Sequence, residues 1–323
     1  MTIHLEFWLT NFVFPIFGDT ILNFEIDKYS IKISRVKNYK KIIEQLEAGK
    51  HECMPTAIIT VECKINQKSE VLEIVNDLSY LFSFVLANNI KPIKTTIKEN
   101  DKIIHDEFNS RNILPIKYIN RKAIIDSRDC ETLKIFIEKT FKNYQKFKKD
   151  FGLEILILYY LLIKSTPIIE LSCSLCFILL EYLSDSASDF FENSEKSPYP
   201  ITAPIRNKKE ILKILDKANI SDCIPENVID KIVKKISYQH PNLPDKITHI
   251  TNYFSMEMNK CDHFLFHYRT HLLHFGLIKD KTIKHSDIQN ALINFIDRII
   301  LHILGYKGSK YLNIKEKNKE EIL

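Results

Sequence analysis

Residues 153–183 read LEILILYYLLIKSTPIIELSCSLCFILLEYL and form the most apolar stretch of the chain. Charged residues and Pro167 divide this stretch into apolar runs of about ten residues, whereas a membrane-spanning helix needs roughly 20. The stretch therefore predicts two buried helices, Leu153–Lys164 and Pro167–Phe191. Pro167 suits the first turn of the second helix, where its missing N–H group costs no hydrogen bond.

The composition is that of a folded protein. The chain has 323 residues, of which 45% are hydrophobic and 27% charged, and this balance excludes a disordered chain. The net charge of +5 is compatible with nucleic-acid binding without indicating it. No glycine-rich phosphate-binding fingerprint occurs. The seven cysteines are scattered, mostly within apolar runs, and no basic segment precedes the first apolar residues, so we expect a cytoplasmic location.

The first half of the chain carries strand patterns. Residues 22–26 and 59–65 alternate apolar and polar side chains, which is typical of half-buried strands. Residues 29–36 and 90–97 predict further strands. Residues 69–87 predict a helix, because acidic residues occupy its first turn.

From residue 129 onward the pattern is helical. Asp129 is suited to cap a helix in which apolar residues recur every three or four positions, and Asp150-Phe151-Gly152 is suited to end it. Further helices are predicted at Lys208–Ala218, Glu226–Tyr238, Asp245–Met258, Asp262–Phe275 and Asp287–Leu304. We therefore predict an α+β protein. Its parts are a strand-rich sensing or regulatory domain (1–150), an all-helical domain (151–312) and a charged tail (313–323).

Residues 261–276, CDHFLFHYRTHLLHFG, hold four of the eleven histidines of the chain. On one helix with 100° per residue, the apolar side chains fall on a single face, and Gly276 is placed to end the helix. Away from that face lie Arg269 and the histidines. The predicted core face consists of Phe264, Leu265, Tyr268, Leu272 and Phe275, and the histidines are His263, His267, His271 and His274.

Arg269 and His274 are separated by four residues, and this spacing resembles the motif of the HEPN superfamily of ribonucleases. The ending HYRTHLLHFG is similar to the motif helix of the ApeA-like HEPN proteins of phage defence. Glu181 on an earlier helix and the closing helix NFIDRIILHILGYKG fit the same family. Thr270 stands where relatives usually carry asparagine.

The resemblance implies metal-independent RNA cleavage by 2′-OH attack, without a cofactor, in a two-fold homodimer. His274 suits proton transfer because histidine titrates near neutrality, and Arg269 suits the phosphate because guanidinium holds two phosphate oxygens. On an ideal helix these two side chains are about 140° apart, so a second subunit is expected to complete the cleft. Thr270 and Glu181 are expected to orient Arg269 or the substrate.

The expected partners are RNA, such as tRNA, and a phage-derived trigger or an antitoxin protein. His267 and His271 are expected to line the RNA groove. Lys307 and Lys310, which follow the motif helix in sequence, are expected to contact phosphates, and Tyr306 is a candidate for stacking on a base.

Two other functions stay open. The first is a non-catalytic HEPN interaction or sensor module. The second is a metal enzyme using the stripe of His263, His267 and His271. The pair Cys173-x2-Cys176 lies in an apolar helix and is interpreted as core thiols. The clusters His51-Glu52-Cys53 and His105-Asp106-Glu107 are interpreted as surface loops.

Overall fold

A computed structural model describes residues 1–14, 21–48, 54–109, 123–126, 129–192, 213, 228, 242–276 and 283–306. In these ranges an antiparallel sheet with two long helices against it is followed by a helical region, so the α+β class is confirmed. The predicted helices at 208–218 and 226–238 lie almost wholly outside the described residues, and the tail from 313 lies entirely outside them. The predicted domain limits stay a prediction.

The sheet contains six strands in the order β2-β3-β4-β1-β5-β6, and every neighbouring pair is antiparallel. The elements of this part are β1 (Thr2–Thr10), β2 (Ile21–Ile26), β3 (Tyr29–Arg35), α1 (Tyr39–Glu47), β4 (Pro55–Lys64), a 3₁₀ turn (Ile65–Gln67), α2 (Lys68–Leu86), β5 (Pro92–Glu99) and β6 (Lys102–Phe108). The strands predicted at 22–26, 29–36, 59–65 and 90–97 and the helix at 69–87 are thereby confirmed.

One face of the sheet is buried because apolar residues occupy every second position of its central strands. In β1 these residues are Ile3, Leu5, Phe7 and Leu9. Helix α2 packs on this face and is itself buried along most of its length.

Strand β6 corrects one prediction. His105-Asp106-Glu107, interpreted as a surface loop, lies in this edge strand and pairs with β5. All of its residues are exposed, so the strand lacks the alternation that reveals a half-buried one. The cluster His51-Glu52-Cys53 lies outside the described residues.

The helical region contains α3 (Cys130–Phe147), α4 (Leu153–Ser165), α5 (Ile169–Glu192), α6 (Leu243–Tyr253), α7 (Lys260–Leu265), a 3₁₀ turn (Phe266–Tyr268), α8 (Arg269–Phe275) and α9 (His285–Ile303). The two buried helices predicted from the apolar stretch are thus α4 and α5. Pro167 lies before α5 rather than in its first turn, which corrects that prediction. Asp129 caps α3 as predicted, since its carboxylate accepts a hydrogen bond from the Thr132 backbone N–H at 2.9 Å.

Gly152 joins α3 to α4 and confirms the predicted break at this point. Its φ is +56°, a conformation that residues with a side chain rarely adopt. A Cβ atom here would collide with the Tyr182 hydroxyl of α5. The site thus combines backbone strain with a steric clash.

We expect Gly152→Ala to destabilise the protein more than Gly276→Ala does. Both glycines have positive φ, but a Cβ at Gly276 meets nothing within 4 Å. Gly276→Ala should cost about 1 kcal/mol for the backbone alone, and Gly152→Ala should exceed it because Tyr182 must move. Urea unfolding of both variants measures the difference, and equal losses would contradict this account.

Lys91 is a buried lysine at the start of β5. Its ammonium nitrogen lies 2.9 Å from the centre of the Tyr80 ring and 3.4 Å from the Ser79 hydroxyl. Burial lowers the pKa of Lys91 to about 7, although Glu154 and Asp77 nearby oppose the shift. Between that value and its ordinary pKa of 10.5, the unfolded chain binds a proton that the folded chain does not.

Stability should therefore rise as the pH increases from about 7 to about 10. In Lys91→Met this contribution is absent, so wild type should gain stability relative to the variant over the same range. Urea unfolding of both proteins at about pH 6.5 and about pH 9.5 tests the sign. A difference between the two proteins that stays constant with pH would show that Lys91 keeps its proton in the fold.

Candidate functional site

The segment that carries Arg269 begins at a doubly bonded helix cap. The Asn259 side chain accepts a hydrogen bond from the Asp262 N–H at 2.9 Å, and the Asp262 carboxylate accepts one from the Asn259 N–H at 2.8 Å. The same buried carboxylate accepts a 2.6 Å hydrogen bond from Arg298 of α9. This pair anchors the start of α7 to α9.

The single helix predicted at 262–275 is wrong, because a 3₁₀ turn at Phe266–Tyr268 separates α7 from α8. The turn lets Phe266 pack between Phe177 and Phe295, with ring centres 6.4 and 6.1 Å away. A 3₁₀ turn advances about 120° per residue instead of 100°, so the face of the segment shifts.

The shift corrects one member of the predicted core face. Phe275 is 57% exposed, whereas Leu265, Tyr268 and Leu272 are buried and Phe264 is half-buried. Gly276 ends α8 with φ +64°, as predicted.

Arg269 and Glu181 form an ion pair between α8 and α5. The Arg269 Nε donates to Glu181 Oε1 at 2.8 Å, and Nη2 donates to the same oxygen. The two side chains are 39% and 35% exposed, so the pair lies at the surface. Sequence analysis connected these residues only through the family resemblance, and the structure brings them together.

Helix α8 runs antiparallel to α5. Arg269 contacts Glu181, and one turn later the Leu272 carbonyl accepts a 3.3 Å hydrogen bond from Ser174, two turns earlier in α5. With Leu272 buried between them, the two helices hold the Arg269 backbone and side chain in one orientation.

The arginine retains binding capacity in this pair. Of its five N–H groups, two point at Glu181, which leaves the fork between Nη1 and Nη2 able to bind a second anion. Glu181 thus orients the guanidinium and offsets part of its charge.

The other predicted site residues of α8 face solvent. Thr270, His271 and His274 are exposed, and so is His267 in the 3₁₀ turn. His274 follows Arg269 by five residues, which places it about 140° around the helix. A single chain therefore does not bring Arg269 and His274 together.

Two further predictions concern the end of the site. Tyr306, a candidate for base stacking, is buried and packs on Phe136 with ring centres 5.2 Å apart, so that prediction is wrong. The exposed aromatic residue is instead Phe275, whose ring centre lies 6.0 Å from that of His271. Lys307 and Lys310 lie outside the described residues.

Among the described residues, no three His, Cys, Asp or Glu side chains are grouped closely enough to hold a metal ion. Cys173 and Cys176 are fully buried core thiols, as predicted, and burial raises the pKa of Cys173 to about 12. In the part of the chain that the structure describes, no helix is long and apolar enough to cross a membrane.

Two ion pairs of the helical region were missed by sequence analysis. Lys164, which appeared only as an interruption of the apolar stretch, lies 3.4 Å from Asp297 of α9. His285 contacts Glu170 at 2.9 Å. Their partners are more than a hundred residues apart, so no local pattern reveals them. The cap at Asn259 was detectable, because asparagine followed three residues later by aspartate is a capping signal.

Comparison with known proteins gives one match. A family model described as the YopA central domain matches residues 17–119, about a third of the chain. The match spans β2 to β6 with α1 and α2 and does not include α5 or α8. No curated protein matches the chain, and no solved structure does.

Proposed function

We propose that this chain is a metal-independent endoribonuclease that cleaves RNA by attack of a ribose 2′-OH on the adjacent phosphate. Arg269 contacts the scissile phosphate, and His274 transfers protons. The observation that carries the proposal is the Arg269–Glu181 pair, which holds an exposed guanidinium beside the exposed histidines of α8.

Preorganisation is the reason this pair favours catalysis. The phosphate gains negative charge in the transition state, and a guanidinium that is already oriented stabilises that charge without reorganising. Glu181 provides the orientation and leaves the outer fork of Arg269 to the phosphate oxygens. Thr270, next to Arg269 and exposed, is placed to contact the substrate.

The proton transfers need two groups. A base removes the 2′-OH proton as that oxygen bonds to phosphorus, and an acid protonates the departing 5′-oxygen, which leaves a 2′,3′-cyclic phosphate. One chain offers one His274, on the side of α8 away from Arg269. A two-fold homodimer places two copies of each residue at a shared cleft, and it supplies both base and acid.

We assign the helical region to a HEPN-like bundle, since its Glu181 contacts Arg269 as the family resemblance implies. The strand-rich region senses a phage-derived trigger or an antitoxin and restrains the nuclease, in a bacterial defence or toxin system with RNA such as tRNA as target. The YopA central domain match supports a separate module there, because it ends before the helical region begins.

A non-catalytic RNA-binding or sensor module is the second candidate. The observation in its favour is that Glu181 already balances the charge of Arg269, while His274 lies on the other side of α8. It predicts RNA binding that depends on Arg269 and no cleavage.

Cleavage of tRNA and of a structured transcript in EDTA tests the proposal. We expect products ending in 2′,3′-cyclic phosphate, and a loss of at least about 100-fold in Arg269→Ala and His274→Ala. His263→Ala is the matched control, since His263 is an exposed histidine of α7 outside the proposed pair, and it should retain activity. Cleavage that survives His274→Ala, or that a chelator abolishes, would refute the mechanism.

Glu181 is expected to be a positioning residue. Glu181→Ala should lower kcat about tenfold with little change in KM, because the guanidinium still binds phosphate but loses its orientation. Glu181→Gln keeps an acceptor oxygen for Arg269 and should recover part of the loss. Glu170→Gln, on the same helix and paired with His285 instead, serves as the control. A Gln variant as inactive as the Ala variant would argue against positioning.

A further inference from the structure

The outer surface of the α4–α5 helix pair is apolar. Ile168, Leu171 and Ile178 of α5 and Ile155 and Leu162 of α4 are between 37% and 58% exposed. We call these five residues the hairpin face. The solvent side of a surface helix is normally polar, so two adjacent helices with apolar outer sides require a partner.

The α5 part of the face has the spacing of a helix-packing seam. Ile168, Leu171, Leu175, Ile178 and Tyr182 recur at intervals of three and four residues, as the a and d positions of a heptad do. Leu175 and Tyr182 are half-buried, and no charged residue interrupts the series. The opposite side of α5 is buried in the core of its own chain, so the helix has two apolar sides and its own fold uses one.

The exposed residues of α4 belong to the same surface. The helices are antiparallel neighbours, because the Ser172 hydroxyl donates to the Ile163 carbonyl at 3.2 Å and the Tyr159 and Tyr182 rings lie 6.1 Å apart. Leu162 therefore lies beside the middle of the α5 seam, and Ile155 beside its C-terminal part.

The size of the face matches a protein partner. Its five side chains expose on the order of 450 Å². A standard interface buries about 800 Å² per partner, of which roughly 56–65% is apolar. The hairpin face thus supplies nearly all the apolar area that one such interface needs.

The face adjoins the candidate site. Glu181 and Ser174, which hold α8, lie on the flank of α5 next to the seam. Phe275, exposed at the end of α8, lies toward the same end of the helices as Leu171 and Ile168. A protein docked on the hairpin face therefore reaches the rim of the Arg269 site.

We propose that the hairpin face binds the same face of a second copy of this chain. A two-fold axis at Leu175 places Ile168 opposite Tyr182, and Leu171 opposite Ile178, when two α5 helices pack antiparallel. Every opposed pair is apolar and no like charges meet, so the seam is complementary to itself. Only the consequence that two Arg269 sites approach each other rests on the proposed function.

Sedimentation of the full chain from about 1 to about 50 µM, a range that brackets micromolar association, tests the proposal. We expect a dimer for wild type and at least a 30-fold weaker dimer for Leu171→Gln with Ile178→Gln. The matched control is Ile103→Gln with Ile104→Gln, which removes two equally exposed apolar side chains from β6, and it should sediment as wild type. Circular dichroism checks that each variant is folded.

Hydrogen exchange of wild type gives a second readout that needs no variant, since peptides covering 168–182 should become more protected as concentration rises. A wild-type monomer at the highest concentration, or a dimer that the β6 change and not the α5 change disrupts, would overturn the proposal. RNA cleavage is measured separately. An inactive dimer through this face refutes the ribonuclease and leaves the interface standing, whereas cleavage by a proven monomer refutes the shared cleft.

Discussion

The geometry of the candidate site depends on the packing of α5. Helices α4, α6, α8 and α9 all lie against it, and its inner side is fully buried along its length. Helix α8 has seven residues, too few to be stable alone. Its position is therefore set by what α5 offers, namely an apolar contact at Leu272, a hydroxyl at Ser174 and a carboxylate at Glu181.

Ion pairs fix how the neighbouring helices meet this axis. Asp262 joins α7 to α9 through Arg298, and Lys164 joins α4 to α9 through Asp297. Buried pairs contribute little net stability, because desolvation offsets their attraction, but breaking one leaves an uncompensated charge. Alternative packings of α9 would separate both pairs, so these contacts select one arrangement of helices around α5.

The features that could be predicted from sequence are those that burial imposes on neighbouring positions. Alternation revealed β2 and β4, and apolar spacing revealed α3 and α5. The 3₁₀ turn at Phe266 could not be predicted, because contacts with Phe177 and Phe295, distant in sequence, decide it. Strand β6 is exposed on both faces and leaves no pattern. The apolar stretch of α4 and α5 predicted burial on all sides, and only the structure separates the inner side from the exposed one.

The pairing of Arg269 with Glu181 raises the question of whether such an arginine can still attract phosphate. At about 7 Å, the Glu181 charge repels a phosphate by about 0.6 kcal/mol in a water-like dielectric. Fixing a free arginine side chain costs about 2 kcal/mol of rotamer entropy, so orientation outweighs repulsion while the pair is exposed. A second copy over the hairpin face would lower the local dielectric constant. The attraction between Arg269 and phosphate, at about 4 Å, then grows more than the longer-range repulsion, so covering the face strengthens the site.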